Sequence, residues 1–504
     1  MFDDFPLMLS SLDMLCQWQI IVVALFGLVF GLIAGVIPGV NSALGIAVLL
    51  PLTFKMEPIV ALILLTSVYA GGLTGGGILA ILLNTPGAPA AVATTFDGYP
   101  MAQKGLVNEA LGIQVFSSTI GGIFSFIFVL LLIRPMSQLA LMFGPSEMMM
   151  LVILVFVVVS TLCGKSFLRS IFAGIFGLLV STIGVSGITS MERGTMGIDA
   201  MLDGIPNLIC IVGLFSIPEL IELTQKQSVI ANTYHMNMSA GGIRKLLTGV
   251  KMALQYKWTM FRSAVLGLVI GLLPAAGSAM ASLLSYATAK RNPKGQEVFG
   301  EGAPEGLVAA ETANNASEGG AMACLLSLGI PGSGSTAVLL GAFFLHGLTP
   351  GPNLLQNSPD LVYALLIGDV LGMIPMLFLA LCVAFFTAKL IQIPNRILVP
   401  VLLVIIAMSA FSYRNMFFDV FLLMSCGILG WILRKLNFSQ VNFMIGVLLG
   451  RNIEDELWRS ILLFGSDVTQ FFLRPLTGTI TIIIILFVLL HIYKTFFAKK
   501  ISAY

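Results

Sequence analysis

Long apolar runs separated by short polar breaks fill the chain. No charge falls between Asp13 and Lys55, or between Glu57 and Asp97. One helix needs about 20 residues to cross a hydrocarbon core, so each of these stretches is too long for a single span. The first is expected to break at Pro38-Gly39 and Pro51, the second at Gly71-Gly72 and at Asn84-Thr85-Pro86-Gly87. Runs of single-span length follow between Glu109 and Arg134, Glu147 and Lys165, and Arg169 and Glu192, with a weaker run at 200–223 interrupted by Pro206 and Pro218. A polar connection at 224–262 precedes a second series. That series comprises Arg262 to Lys290, broken by Pro274; Asp369 to Lys389; Arg396 to Arg414; two shorter runs near 416–433 and 436–450; and Arg474 to Lys494.

The stretch from Gly300 to Pro352 stands apart. A polar, acidic segment with Asn314-Asn315 runs into an apolar arm, which breaks at Gly329-Ile330-Pro331-Gly332-Ser333-Gly334-Ser335-Thr336 before a second arm begins. Each arm reads as too short to cross, so the pair predicts a hairpin that enters the membrane and turns back. Irregular backbone at such depth is tolerated only where protein buries it or water reaches it. The expected architecture is an all-α polytopic membrane protein with about 10–13 transmembrane helices and two re-entrant helical hairpins.

Composition agrees. With 57% hydrophobic and 10% charged residues the chain is not a soluble domain. A net charge of +2 gives no reason to expect a nucleic-acid partner. Cys16, Cys163, Cys210, Cys324, Cys382 and Cys426 lie in or beside apolar runs without metal-ligand spacing and read as buried thiols. Asp3, Asp4 and Asp13 precede the first apolar run without a basic residue, unlike a cleavable signal peptide. Residues 224–262 carry Lys226, Arg244, Lys245, Lys251, Lys257 and Arg262 and no acid, which places this connection in the cytoplasm.

The two sides of that connection echo each other. Gly31, Gly35 and Pro38 answer Gly267, Gly271 and Pro274 at an offset of 236, and Pro86 answers Pro331 at 245. Residues 1–223 are therefore read as a first transmembrane half with its hairpin near 72–96. Residues 224–262 are the basic connection, and 263–504 the second half with its hairpin near 319–348. Gly/Pro-interrupted segments in corresponding positions of two halves point to a transporter's binding site.

A half-helix ending inside the membrane offers backbone N–H groups to an anion and carbonyls to a small cation. The candidate substrate-binding residues are Asn41, Ser42, Asn84, Thr85, Gly87, Ser278, Gly332, Ser333, Ser335 and Thr336. Candidates for cation coupling are Asp97, Glu311, Asn314 and Asn315. Ser282 is a further hydroxyl after Pro274, His346 reads as structural, and Asp369, between two apolar runs, reads as a helix end. No basic residue lies in either tip, so an anion would be held by helix ends and neutral donors. HExxH, GxSxG and Walker motifs are absent from the sequence, and His346 is the one base near Ser333 in sequence. An enzyme is not expected. A passive channel, a stand-alone permease and, remotely, an intramembrane hydrolase are the alternatives.

The runs PGVNSALGIAVLLPLTF at 38–54, YAGGLTGGGILAILLNTPGAPAAVATTFDGYPMAQKG at 69–105 and ETANNASEGGAMACLLSLGIPGSGSTAVLLGAFFLHGLTPGP at 311–352 resemble the large membrane subunit of the tripartite tricarboxylate transporters, the TctA family. Where such proteins read Pro-Gly-Ala-Gly, this chain has Pro274-Ala275-Ala276-Gly277. The resemblance implies a multi-pass permease of the bacterial inner membrane. It would work with a small four-helix membrane subunit and a periplasmic solute-binding protein, importing a di- or tricarboxylate or related organic acid. It implies no cofactor, Na⁺ or H⁺ as coupling ion, and signature loops at Asn84–Gly87 and Gly329–Thr336.

Overall fold

A computed structural model describes residues 5–37, 40–84, 86–162, 166–186, 188–225, 242–274, 276–293, 298–390, 395–465, 472 and 474–501. Thr85 and Ala275, together with Pro38-Gly39, Cys163 and Lys226, lie outside the described residues. The chain is helical almost throughout, and its one sheet among the described residues is a two-stranded antiparallel pair, β1 Gly184–Val185 and β2 Glu192–Arg193.

Two compact units form, each discontinuous in sequence: residues 1–137 with 215–420, and residues 138–214 with 421–504. Helices of the first unit are α1 Phe5–Leu15, α2 Trp18–Val36, α3 Ser42–Leu49, α4 Pro58–Leu83, α5 Val92–Gln103 and most of α6 Val107–Leu141. Across the second unit's segment the numbering runs on through α7 Pro145–Leu162, α8 Phe167–Ser181 and α9 Asn207–Gln225, the last ending in the first unit. The first unit continues with α10 Gly242–Gln255, α11 Lys257–Gly271, α12 Gly277–Arg291, α13 Pro304–Leu328, α14 Gly334–Leu345, α15 Leu354–Asn357, α16 Pro359–Leu390 and α17 Asn395–Arg414. The second unit is completed by most of α18 Phe417–Lys435, then α19 Gln440–Phe464 and α20 Pro475–Ile501. Among the described residues, α2, α4, α6, α9, α16 and α18 are long and apolar enough to cross a membrane. Within the second unit α8 packs on α19, and the buried Asn442 amide donates to Ser160 Oγ at 2.7 Å and to Ser170 O at 3.0 Å.

The repeat read from sequence reappears as packing. A Cβ at Gly31 would collide with Val68 O, and one at Gly267 with Ala313 O. Gly35 meets Gly72 O in the same way, and Gly271 meets Ser317 O. Thus α2 lies on α4 as α11 lies on α13, backbone against backbone, as small residues allow in membrane helices. α4 and α13 also match end for end. Each has a proline in its first turn, and each ends on a left-handed residue, Asn84 (φ 54°) and Gly329 (φ 71°). Proline suits the first turn, where its missing N–H costs nothing, and glycine or asparagine suits the left-handed cap.

Four expectations need correction. Gly71-Gly72 do not break the second run: α4 continues through them, because these glycines serve contact with α2. Pro218 likewise lies inside α9. The arms of the predicted hairpins are unequal. α4 has 26 residues and α13 has 25, whereas α5 and α14 have 12 each. At 1.5 Å per residue the first arms are long enough to span and only the second arms are short. Finally, Asp369 is no helix end but lies inside the 32-residue α16. The buried-thiol reading holds for Cys210, Cys324 and Cys426 and not for Cys16, in the turn between α1 and α2, or Cys382 on α16, which are exposed.

Candidate functional site

Two helix N-termini, one from each repeat, come together in the first unit. Asn41 caps α3: its Oδ1 accepts from Leu44 N–H at 2.9 Å, and its Nδ2 donates to Glu219 Oε1 at 3.3 Å. Ser333 caps α14 in a capping box. Its Oγ accepts from Thr336 N–H at 3.2 Å, and its own N–H donates to Thr336 Oγ1 at 2.8 Å. One residue beyond the first cap and two beyond the second, the starts touch: Ser42 Oγ and Ser335 Oγ are 2.8 Å apart and buried. Of the four N–H groups that a helix start leaves unpaired, the box uses those of Ser333 and Thr336. The N–H groups of Gly334 and Ser335 remain on α14, and those of Ser42 and Ala43 remain on α3, without a hydrogen-bond partner among the described residues. Both helix starts carry partial positive charge, and both are capped by neutral side chains.

The loops that follow α4 and α13 are wedged behind these starts. A Cβ at Gly87 would fall 2.8 Å from Gly76 Cα, and one at Gly332 would fall 2.8 Å from Ala321 Cα, which is the equivalent contact 245 residues on. The packing is crosswise as well. α3 of the first repeat meets α14 of the second, while α12 of the second meets the 89–91 turn and α5 of the first. Phe96 on α5 stacks edge-on against Tyr286 on α12 at 5.2 Å.

Nearly the whole described chain matches the model of the tripartite tricarboxylate transporter TctA family, from residue 21 to residue 445. The chain belongs to that family. A protein of Agrobacterium vitis, described as an uncharacterized 52.8 kDa protein in the TAR-I ttuC' 3' region, is 32% identical over 439 residues, 86% of this chain and 86% of its own length. Another from the same organism, an uncharacterized protein in the TAR-II ttuC' 3' region, is 32% identical over 214 residues, covering 42% of this chain and 88% of its own. No solved structure matches the chain. A TctA protein is thus a member of a transporter family, and its apolar helices make this one a multi-pass membrane protein.

The other sequence candidates fall into different surroundings in this TctA chain. Asn84 is exposed, and its left-handed backbone gives it a conformational role at the end of α4. Ser278 is half-buried on α12. Ser282 is buried there without a hydrogen-bond partner. Asp97 is fully buried, and its Oδ1 accepts three backbone N–H groups, from Gly300 at 2.8 Å, Gly302 at 2.9 Å and Ala303 at 2.8 Å. It thereby ties α5 to the entrance of α13, where a negative charge also complements the helix dipole.

Glu311 is buried at the meeting of four helices. Thr94 Oγ1 on α5 donates to its Oε1, and Ser118 Oγ (2.8 Å) and Gln114 Nε2 (3.3 Å) on α6 donate to its Oε2. Gln114 Nε2 also reaches Thr74 O on α4 at 3.0 Å, and Asn315 Nδ2 donates to Thr74 Oγ1 at 3.0 Å. Such a carboxylate is well satisfied by neutral donors, as a buried polar group must be. Asn314, on the next turn, is fully buried; its side chain also interacts with the Glu311 carboxylate, and its Oδ1 has no hydrogen-bond partner.

His346 caps the far end of α14, and its Nε2 pairs with Thr53 Oγ1 at 3.2 Å. It stands about 20 Å of helix away from Ser333, so the geometry offers no Ser–His pair. Sequence reasoning missed Tyr69, Thr74, Thr94, Gln114, Ser118 and Glu318. Tyr69, Thr74, Thr94 and Glu318 fall within the motifs that identify the family, whereas Gln114 and Ser118 lie outside them.

Proposed function

We propose that the chain is the large permease subunit of a binding-protein-dependent secondary transporter that imports a di- or tricarboxylate, or a related organic acid, together with Na⁺ or H⁺. The observation that carries this reading is the meeting of the α3 and α14 N-termini at Ser42 and Ser335. A carboxylate lodged there would accept the unpaired N–H groups of Ser42, Ala43, Gly334 and Ser335, and the two serine hydroxyls would exchange their mutual bond for bonds to the anion. Neutral donors set against two helix dipoles hold an acid without the tight ion pair that an arginine would form, which favours release on the far side. Ser333, Thr336 and Asn41 keep the helix starts in shape, and Gly87 and Gly332 let the two loops close behind them. The partners are a periplasmic solute-binding protein and a small four-helix membrane subunit, in the bacterial inner membrane.

The test is uptake of a panel of labelled di- and tricarboxylates into cells or vesicles carrying this chain, the small subunit and the binding protein encoded beside it. Ser42→Ala with Ser335→Ala removes both hydroxyls and keeps the folded helices. Uptake by the double variant is expected to fall at least about tenfold, the value of one or two charge-assisted hydrogen bonds. A wild-type rate in that variant removes the site from the helix starts. Conversion of the solute without any gradient would replace transport by an enzymatic reading.

A further inference from the structure

A second acidic pair lies in the first unit, outside the network of Glu311. Glu318 on α13 is 1% exposed, and neither of its carboxylate oxygens has a hydrogen-bond partner. Asp369 on α16 is 7% exposed, hydrogen-bonds to Thr66 on α4, and leaves its Oδ2 unpartnered. The two carboxylates are within electrostatic range of each other, and Glu318 is within range of the Tyr69 hydroxyl on α4. No lysine, arginine or histidine forms an ion pair with either carboxylate among the described residues. The titratable groups facing Glu318 are therefore Asp369 from α16 and Tyr69 from α4. Asn314 supplies an independent sign of a missing ligand. It precedes Glu318 by four residues on the same helix, so the two side chains share a face. It is fully buried, and its Oδ1 lacks a partner.

Two buried like charges cannot both remain ionised without compensation. Five oxygens of the kind a small cation accepts — both of Glu318, Asp369 Oδ2, Asn314 Oδ1 and Tyr69 Oη — come from three helices, α4, α13 and α16. We propose that Glu318 and Asp369, with Asn314 and Tyr69, take up one monovalent cation, H⁺ or Na⁺, and that this is the coupling ion of the transport cycle. The second half of that statement rests on the transport reading above; the first does not. The link to the substrate is short. Tyr69 Oη lies 3.3 Å from Ser333 Oγ, the cap of α14. With Glu318 ionised and uncompensated, the tyrosine O–H is drawn toward the carboxylate and away from Ser333. With the cation in place, the hydroxyl is free to support the cap and so the helix start that holds the acid.

Infrared difference spectra of the purified full-length protein test the site without substrate. In Na⁺-free buffer, acidification is expected to produce a protonated-carboxyl band that alkali removes and that both Glu318→Gln and Asp369→Asn lose. Glu318→Asp guards against misfolding and should retain a shifted band. Adding Na⁺ at fixed pH distinguishes the sources. Loss of the wild-type band means Na⁺ displaces the proton, and an unchanged band means the proton alone is carried; either outcome supports the pair. Persistence of the wild-type band in both neutral variants, or no titrating band in the wild type, overturns the site. In vesicles, gradient-driven accumulation by Glu318→Gln should be lost. If the wild type itself accumulates no acid while the infrared result holds, the transport reading fails and the cation site stands.

Discussion

Alanine in place of three glycines around the two loops should separate packing from ligand contact. At Gly332 the new Cβ would sit 2.8 Å from Ala321 Cα and 3.0 Å from Gly271 O. Ordinary contact begins at 3.4 Å, so α13 and the loop must part by about 0.6 Å. The obstacles include backbone atoms, which cannot rotate away as a side-chain tip can. Overpacking of this kind costs about 1–3 kcal/mol. At Gly87 the same 2.8 Å approach to Gly76 Cα is joined by a closer collision with Gly35 O, so the cost belongs at or above the upper end of that range. Gly334 differs, since its Cβ would meet only the Phe215 ring, at 3.7 Å and beyond. That variant should stay within about 0.5 kcal/mol of wild type. Thermal unfolding of the detergent-solubilised protein, followed by loss of the monodisperse chromatographic peak, ranks the three. In a domain of a few hundred residues about 1 kcal/mol corresponds to roughly 2–4 °C. Losses should therefore run Gly87→Ala, then Gly332→Ala, with Gly334→Ala unshifted. Equal stability of Gly87→Ala and wild type, or a loss at Gly334→Ala as large as at Gly87→Ala, would refute the wedge. Because Gly334 opens α14 beside the unpaired amides, reduced uptake by a stable Gly334→Ala would also report on the anion's place.

Further expectations follow from the same geometry. Asn84→Gly keeps the left-handed end of α4 and removes the amide, so melting should be unchanged while Asn84→Ala loses about 1 kcal/mol from the strained backbone; a larger loss for glycine than for alanine would contradict the capping role. Asp97→Ala should loosen the entrance to α13 by about 1–3 kcal/mol, seen as a lower melting temperature and faster tryptic cleavage after Arg291; unchanged cleavage would deny the three-amide anchor. Glu311→Leu leaves Thr94, Ser118 and Gln114 facing an apolar group and should destabilise by about 3 kcal/mol or more, whereas Glu311→Gln should retain most of the stability; equal melting of the two would mean that the network does not hold the four helices. His346→Gln can still reach Thr53 and should transport within about twofold of wild type, while His346→Ala should lose roughly 1 kcal/mol of stability; abolished uptake in a stable His346→Gln would give the histidine a chemical role.

Legibility differed between the loops and the helices before them. The breaks at Asn84-Pro86 and Gly329-Pro331 were visible because glycine or asparagine followed closely by proline is a combination that ends a helix. The continuity of α4 through Gly71-Gly72 was not. Glycine in one strand of sequence reads as a breaker, and its use against α2 appears only once Gly31 and Leu28 are placed beside it. α13 was misread for a different reason. Its run Glu311-Thr312-Ala313-Asn314-Asn315 is too polar for lipid, so it looked like a segment outside the membrane-spanning pattern. In the fold every residue from Pro304 to Ser327 is buried by protein. Hydropathy measures suitability for lipid and is blind to a helix that meets none. As single side chains Thr74, Thr94 and Ser118 did not stand out, because serine and threonine in apolar helices usually bond their own preceding turn.

That blindness has a structural consequence. The two repeats place equivalent helices, α4 and α13, inside the first unit, yet the sequence has made them unlike. α4 is apolar and glycine-rich, and its polar side chains mostly donate or accept single hydroxyl bonds. α13 carries Glu311, Asn314, Asn315 and Glu318 on neighbouring turns. The same division runs through the helix starts, for the position 236 beyond Ser42 is Ser278 and the position 245 before Ser335 is Ala90. One of the two crosswise contacts can therefore form a hydroxyl pair and the other cannot. Backbone packing has kept the symmetry, since the Gly31, Gly35, Gly267 and Gly271 contacts admit no side chain. Polar chemistry has departed from it, concentrating charge on one repeat and joining that repeat's loop to the middle of the other's α4 through Ser333 and Tyr69. A symmetric frame with asymmetric contents is the arrangement in which one ion and one acid can occupy distinct places while remaining one tyrosine apart.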